Sequence, residues 1–413
     1  MSGKIPGAPR LDRPRGGTGP AAVAVCAFVA LVASSSAAVS GSLTDVFGRP
    51  QFARLELAPL GPALASTVAS TYPVASASSS VVYAYNPDTD TFKRRPGVLG
   101  PIVGERAETL GQGQIYLGVT YSFVDLATID GKSLDDLVNQ PLVKGRFLFF
   151  HVAGGVTLKD GRFATLLPVR AALDLDVNAH IVAPSVTYGL TPDLDVNLTV
   201  PLLGTSLGVR ARTRVPDPRL PAFMLAPGDS RARVDELSAS ATSEGVGDVL
   251  LRAKYVLHRG GPVDLAAGLG LSLPSGHADD FQGTGTTRVQ PGLIASRVLA
   301  DRLELLANAG IDLDADAVER SVVRWAIGGT VRMIEQVAVP IVILGRHELS
   351  APAAPIRVPF FFQIERSDSF DASTGVRWRF ARRAVLSANA IVPLNRDGLR
   401  ADVIPTVQME YAF

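Results

Sequence analysis

Apolar and polar residues alternate along most of the chain from about residue 111 onward, in segments of about ten residues. Examples run from Ile115 to Phe123, from Leu194 to Val200, from Val263 to Leu273 and from Leu303 to Ile311. Successive side chains of a β-strand point to opposite faces of the sheet. The pattern therefore predicts strands with one continuous apolar face and one face of small, polar and charged residues.

The pattern predicts twelve strands whose connections alternate in length. The strands lie at roughly 113–125, 175–189, 193–210, 245–258, 262–273, 287–299, 302–313, 321–333, 336–346, 370–381, 383–394 and 401–413. Tight turns follow the even-numbered strands, and longer connections such as 126–174 and 211–244 follow the odd-numbered ones. Short periplasmic turns opposite long outer loops are typical of outer-membrane barrels, whereas a soluble sandwich has no reason to keep long loops at one end.

The composition, with 47% hydrophobic residues, fits either a soluble protein or a membrane barrel. No apolar run outside the N-terminal leader reaches the roughly 18 residues that a transmembrane helix needs. A closed sheet pairs every backbone polar group and has no free edge, so it can also cross lipid. We expect an all-β fold, a transmembrane antiparallel β-barrel of about twelve strands over residues 111–413, with an irregular N-terminal extension.

The first 38 residues have the features of a cleaved secretory signal peptide. Lys4 and three arginines precede an apolar core from Ala21 to Val32, and Ser36-Ala37-Ala38 offers small residues for cleavage. The alternative is a disordered N-terminus followed by a short buried helix. Cleavage would remove Cys26, the only cysteine, and would change the net charge of +1 to about −2. This balance gives no basic surface for nucleic acid, so we expect none as a partner.

Residues 39–110 do not follow the strand pattern. Ser, Ala and Pro dominate from Ala63 to Ser80, which is typical of a periplasmic extension or a partly disordered linker. The alternative is that this region folds into the lumen as a plug.

The last strand ends the chain on an aromatic residue. Val407, Met409, Tyr411 and Phe413 share one face of it. Such a strand resembles the signal by which outer-membrane barrels reach their assembly machinery, so we expect that machinery and outer-membrane lipid as partners. The alternative is a core strand that happens to end the protein.

Short phrases spread over roughly residues 80–413 resemble one family of exported bacterial proteins. They are Tyr85-Asn86-Pro87, Glu105-Arg106-Ala107-Glu108-Thr109-Leu110-Gly111, Thr187-Tyr188-Gly189-Leu190-Thr191, Gly245-Val246-Gly247-Asp248 and Phe281-Gln282-Gly283-Thr284-Gly285. They resemble the outer-membrane "transporter" family known as the putative MetA-pathway of phenol degradation family. The resemblance implies a barrel that moves small hydrophobic or aromatic compounds, and it carries over no catalytic residues.

The chain offers few groupings of residues that could carry catalysis or hold a metal. None of its five histidines lie at metal-ligand spacing, and no nucleophile elbow or phosphate-binding loop occurs. His180 and Ser185 are candidates for a lipid hydrolase, but their opposite parity places them on opposite faces of a regular strand. Asp279, Asp280 and the carboxylates at 312, 314 and 316 could bind calcium, or they could be solvated loop residues. We therefore expect no enzyme, cofactor or metal.

Parity also predicts which charged residues face the lumen. If the apolar face contacts lipid, the lumen-facing set is Asp174, Asp176, Asp195, Asp248, Arg252, Lys254, Glu304, Arg324, Arg332, Arg377, Arg379 and Glu410. Stability alone favours this placement, because a charge on the lipid face costs about 2–4 kcal/mol at the midplane. These residues could pair across a filled barrel, or they could line a pore. We expect a passive outer-membrane channel for small, possibly hydrophobic or aromatic, solutes. The alternatives are a surface-binding barrel with a plugged lumen, an outer-membrane lipid hydrolase and a secreted soluble β-protein.

Overall fold

A computed structural model describes most of the chain after the predicted signal peptide. The described residues are 42–55, 57, 60–71, 83–86, 91–94, 99, 103–138, 148–157, 163–215, 233–300, 302–349, 356–358, 362–364 and 368–413. The predicted signal peptide, residues 1–38, lies outside them. Among the described residues, no helix combines the length and the apolar character needed to span a membrane.

The described elements are almost all strands. There is one α-helix, α1 (Leu60–Thr71), and there are 3-10 turns at Leu43–Val46, Pro50–Leu55, Leu134–Asp136, Ala278–Asp280 and Val318–Arg320. The strands are β1 (Tyr83–Asn86), β2 (Thr91–Arg94), β3 (Ile115–Ile129), β4 (Lys132–Ser133), β5 (Leu137–Val138), β6 (Leu148–Thr157), β7 (Phe163–Gly189), β8 (Leu194–Thr199), β9 (Leu202–Val215), β10 (Arg233–Val246), β11 (Val249–His258), β12 (Asp264–Leu273), β13 (Arg288–Leu299), β14 (Leu303–Asp314), β15 (Val322–Ile334), β16 (Val337–Glu348), β17 (Ile356–Val358), β18 (Phe362–Ile364), β19 (Ser369–Ala381), β20 (Ala384–Pro393), β21 (Leu399–Ala401) and β22 (Ile404–Ala412).

β1 pairs with β2 and β17 pairs with β18 in two separate two-stranded sheets, and the remaining strands form one closed antiparallel barrel. Strands β8 and β9 both pair with β7 and make one strand interrupted at Pro201, while β10 and β11 make another interrupted at Gly247. Counted this way, the described wall has twelve strands, and it closes where β22 pairs with β3 through Val407 opposite Tyr121. The predicted fold class is confirmed.

The connections differ between the two ends of the barrel. At one end, the turn end, two residues join β15 to β16 and two residues join β19 to β20. At the other end, the loop end, the chain takes 14 residues between β12 and β13 and 20 residues between β16 and β19. Both barrel termini lie at the turn end, where the Phe413 amide donates to the carbonyl oxygen of Ile115 at 2.8 Å.

The outer surface of the wall is apolar. Leu269, Leu293, Ile327, Ile341 and Met409 are all more than half exposed, although each lies in a regular strand. Water disfavours a continuous apolar surface of this kind, whereas lipid accommodates it. The sheet therefore carries the lipid-facing belt of a transmembrane barrel.

Aromatic side chains mark both edges of that belt. Tyr411 and Phe413 contact each other at the turn end, with ring centroids 4.7 Å apart. Trp325 stacks on His347 and contacts Phe370 on the loop side of the same surface. Trp325 thus has the position expected of an interfacial aromatic residue.

Strands β7, β9 and β10 continue beyond the belt, and there the polarity of their faces is reversed. In β7 the apolar residues from Leu173 to Ile181 face inward and are buried, while Asp176 and His180 between them are exposed on the outside. The strand geometry is regular, but the environments of its two faces are exchanged relative to the belt. The outer face contacts water, and the inner face packs against an apolar core. The predicted inward placement of Asp174 and Asp176 is therefore wrong.

The N-terminal segment fills the inside of this extension. Residues 42–71, which we call the outer plug, bury Phe52, Leu60 and Leu64 against wall residues that include Leu173 and Val209. Polar contacts fix the outer plug as well. The Leu43 amide donates to Asp280 Oδ1 at 2.9 Å, and Gln51 Nε2 donates to the Ser238 carbonyl oxygen at 2.7 Å.

Candidate functional site in the barrel lumen

A second N-terminal segment, Val103–Gly111, lies in the lumen toward the turn end; we call it the lumen strap. Side chains of the wall bind its backbone. Asn308 Oδ1 accepts from the Glu105 amide at 2.7 Å, and Ser296 Oγ accepts from the Ala107 amide at 3.0 Å. Asp195 Oδ2 accepts from the Leu110 amide at 2.8 Å. Polar side chains of the wall thus accept the hydrogen bonds that these strap amides would donate to a neighbouring strand in a sheet.

Charged residues of the wall hold the strap more strongly. Arg106 Nη2 lies 2.6 Å from Glu304 Oε2, and the two side chains are only 4% and 1% exposed. Lys254 Nζ donates to the carbonyl oxygens of Arg106 and Glu108 at 3.1 and 2.8 Å. Arg252 Nη1 lies 3.2 Å from Glu105 Oε1. Charge-assisted bonds of this kind are about twice as strong as neutral ones.

Four of the predicted pore-lining residues therefore contact the lumen strap: Asp195, Arg252, Lys254 and Glu304. Each faces the lumen, and each contacts the strap. The alternation of apolar and polar residues predicted that these four side chains face the lumen. It did not predict that they bind the strap, because the strap has no alternating pattern and lies before the first barrel strand.

The other predicted lumen residues are spread over the wall. Arg377 pairs with Glu410 inside the wall, and both side chains are buried. Arg379 Nη2 donates to the Glu335 carbonyl oxygen at 2.6 Å in a tight turn, and Arg332 lies near the same end of β15. Asp248 lies at the loop end.

The carboxylate of Asp248 organises a loop. It accepts from the Gly276 amide at 3.1 Å, and from the Thr284 amide and hydroxyl at 2.7 and 2.8 Å. Its contacts are those of a residue that fixes the connection between β12 and β13.

A cavity of about 370 Å³ lies in the lumen beside the strap. Strap residues Val103–Glu105 bound it on one side. On another side it reaches Leu126, Leu399 and Ala401, which also pack in the apolar core that contains the outer plug. The cavity therefore lies between the two N-terminal segments.

Glycine residues, which have no side chain, form part of the cavity wall. Gly268, Gly292 and Gly310 are register partners on β12, β13 and β14, and all three line the cavity. Arg324 of β15 and Arg346 of β16 continue the same cross-strand row. We call these five positions the glycine–arginine row.

The arginines at the end of the row belong to an ion-pair cluster. Asp312 lies 2.7 Å from Arg324 Nη2 and also 2.7 Å from Arg288 Nε. Arg346 Nη1 lies 3.6 Å from Glu348 Oε1. Of this cluster, the alternation rule identified only Arg324 as lumen-facing, and Asp312, considered in the sequence as a calcium ligand, pairs with two arginines instead. Arg288 and Arg346 have the same alternation with apolar neighbours and could have been found by extending the rule to strand ends.

The catalytic and metal candidates are placed as follows. His180 Nδ1 lies 2.9 Å from the Tyr121 hydroxyl on the outside, whereas Ser185 faces Gly118 with its Oγ 3.5 Å from that carbonyl oxygen. Opposite parity does separate the two residues. Asp314 accepts from the amides of two residues that follow it. Within the described ranges, no three His, Cys, Asp or Glu side chains are grouped to hold a metal ion.

The chain is similar to one protein family and, at low identity, to several solved structures. The model of the family described as "Putative MetA-pathway of phenol degradation" matches residues 171–322, which confirms the resemblance found in the sequence. No curated protein matches the chain. The COG4313 outer membrane channel from Pseudomonas putida F1 is similar, with 12% identity, 76% of this chain and 100% of that chain covered, and a TM-score of 0.45. The Ralstonia pickettii toluene transporter TbuX gives 11% identity, 75% and 92% coverage, and a TM-score of 0.36.

Proposed function

We propose that this chain is exported through its signal peptide and acts in the outer membrane as a passive channel for small hydrophobic or aromatic molecules. The observation that carries the proposal is the lumen cavity of about 370 Å³ between the outer plug and the lumen strap. Ligand pockets have volumes of about 300–1,000 Å³. A compartment of that size inside a transmembrane barrel is suited to hold one small solute during passage.

The cavity wall favours a cargo with apolar surface. Ile294, Leu344, Ile391 and Ile404 line the cavity together with the three glycines of the glycine–arginine row. An apolar cavity of about 150 Å³ is enough for benzene in another protein. The present volume therefore accommodates a substituted ring, which agrees with the phenol named in the family's description.

Passage through the barrel requires the lumen strap to move, because the strap lies across the lumen at the turn end. Its bonds to Asp195, Arg252, Lys254 and Glu304 are polar and reversible. These four residues would line the passage once the strap is displaced. In this proposal, these four residues hold the strap in place while the channel is closed, and we call them the latch.

A reversible disulfide tests the proposal. Ala107 and Ser296 are buried and in contact, with the Ala107 amide 3.0 Å from Ser296 Oγ, so A107C/S296C places two thiols where oxidation is expected to join strap and wall. Cys26 is removed with the signal peptide, and no other cysteine follows it. We expect cells that express the oxidised variant to take up radiolabelled toluene more slowly than cells with wild type, and a membrane-permeant reductant to restore uptake.

The two single-cysteine variants are the matched controls, and they should behave as wild type. Uptake by the oxidised double variant at the wild-type rate would show that the strap need not move. Uptake by wild-type cells no faster than by cells without the protein would refute the channel itself.

A second candidate function is a surface-binding barrel with a permanently plugged lumen. The burial of the outer plug against the wall favours it. This candidate predicts that purified protein stays closed in a planar bilayer even after the ion pairs of the strap are neutralised. Ion conductance that appears when the strap is released would exclude it.

A further inference from the structure

The glycine–arginine row joins a flat surface to two positive charges. Arg324 and Arg346 are register partners on β15 and β16, and both line the cavity. Like charges directly opposite each other on one face of a sheet are destabilising. Asp312 beside Arg324 at 2.7 Å and Glu348 beside Arg346 at 3.6 Å offset part of this repulsion, and a ligand that carries negative charge would offset more of it.

Arg324 is more open to the cavity than its carboxylate partner. The side chains of Arg324 and Asp312 are 38% and 2% exposed, whereas Arg346 and its partner Glu348 are equally exposed, at 20% and 21%. Arg288 also binds Asp312 at 2.7 Å, so this carboxylate is covered by two guanidinium groups. Among the described residues, Arg324 and Arg346 therefore line the cavity at this point with only one buried carboxylate, that of Asp312, so positive charge exceeds negative charge there.

The glycines provide room beside the charges. Adjacent strands lie about 4.8 Å apart, so Gly268, Gly292 and Gly310 form a shelf of backbone that is about 10 Å across. All three glycines line the cavity, and a Cβ at Gly268 would meet Ile294 Cδ1 only at van der Waals distance, 3.5 Å, so a side chain is accommodated at this end of the shelf. A planar ring could lie on such a surface, with an acidic substituent directed toward Arg324.

We propose that the glycine–arginine row binds small aromatic carboxylates, with the ring on the glycine shelf and the carboxylate on Arg324 and Arg346. Planar guanidinium groups match a carboxylate with two parallel hydrogen bonds. The proposal rests on the proposed channel function and adds anions of the benzoate class to its aromatic cargo.

Binding to the purified full-length protein in detergent tests the proposal, with benzoate and benzyl alcohol as probes in titration calorimetry. Hydrogen bonds to charged groups correspond to roughly tenfold to hundredfold in affinity. We expect wild type to bind benzoate at least about tenfold more tightly than benzyl alcohol. Arg324→Gln and Arg346→Gln should each weaken benzoate binding by about tenfold and leave benzyl alcohol within about twofold.

Two further variants separate charge from shape. Gly268→Leu places a side chain on the shelf without changing charge, so it should weaken both probes. Arg302→Gln removes an exposed charge in the turn before β14, away from the cavity, and it should change neither. Since Arg346→Gln leaves the Arg324–Asp312 pair intact, it keeps the test valid if Arg324→Gln fails to fold.

Equal affinity for the two probes in wild type, or arginine variants that bind benzoate as wild type does, would overturn the carboxylate site. The channel function would survive that result if cells with the wild-type protein still take up toluene faster than cells without it. Toluene uptake no faster than in cells without the protein is a different result, and it would remove the basis of both proposals.

Discussion

Glu304→Gln is expected to release the lumen strap. The substitution keeps the shape of the side chain but removes the charge that lies 2.6 Å from Arg106 Nη2. Removing one partner of a buried ion pair costs about 3–5 kcal/mol, because the other charge stays buried without compensation. Glu108 Oε2 lies 3.7 Å from Arg106 Nη1 and compensates in part, so we expect the lower end of this range.

A loss of about 3 kcal/mol corresponds to roughly a hundredfold change in the equilibrium between bound and released strap. Ala107 reports on this equilibrium because it is 0% exposed while the strap is bound. We expect a thiol-reactive probe to label A107C in folded barrels about a hundredfold faster when Glu304→Gln is also present.

Glu319→Gln is the matched control, because Glu319 is an exposed carboxylate in the loop after β14. It should leave the labelling rate of A107C unchanged. If A107C reacts equally fast with and without Glu304→Gln, while the barrel remains folded, the ion pair does not hold the strap and the latch argument is refuted.

Three other predictions concern the wall and its assembly. Gly345→Val should destabilise the barrel by about 1–3 kcal/mol, because a Cβ at Gly345 would overlap the indole of Trp325. The variant should lose its heat-modifiable gel shift at a lower temperature than wild type, and an unchanged temperature would contradict the prediction. Asp195→Ala should increase labelling of the strap, whereas Asp176→Ala should not, because Asp176 is on the outer face; equal effects would contradict this assignment. Deleting Phe413 should lower the amount of protein in outer membranes on immunoblots without lowering its synthesis, and normal assembly would exclude a signal in the last strand.

The sequence predicted the wall well because the lipid fixes its pattern. Every second residue of a membrane strand must be apolar, so segments such as Leu303–Asp314 show their length and orientation directly. Turn residues such as Glu335 then separate the strands. The twelve strands and the closed sheet followed from these two local signals.

The same rule failed where the strands leave the membrane. Asp176 was assigned to the lumen because charged residues were expected to avoid lipid. In the extension of β7 the outside is water and the inside is the apolar core of Leu173 and Leu175. Only the position of the outer plug, which comes from a distant part of the chain, determines which face of this segment is apolar.

The alternation of apolar and polar residues does not predict the lumen strap. Its backbone is bound by side chains such as Asn308 and Asp195, which belong to strands far away in the sequence. The phrase from Glu105 to Gly111 was noticed only as part of a family resemblance. The residues that bind it were identified as lumen-facing, but their role as a latch required the three-dimensional structure.

Heat-modifiability in isolated outer membranes tests the transmembrane barrel most directly. Membrane fractions are separated on a denaturing gel with and without boiling. We predict that the protein is found in the outer-membrane fraction and that the unboiled form migrates differently from the boiled form, as a closed detergent-resistant barrel does. A protein recovered from the soluble periplasm, with the same migration before and after boiling, would contradict the account and assign the alternating strands to a soluble β-protein.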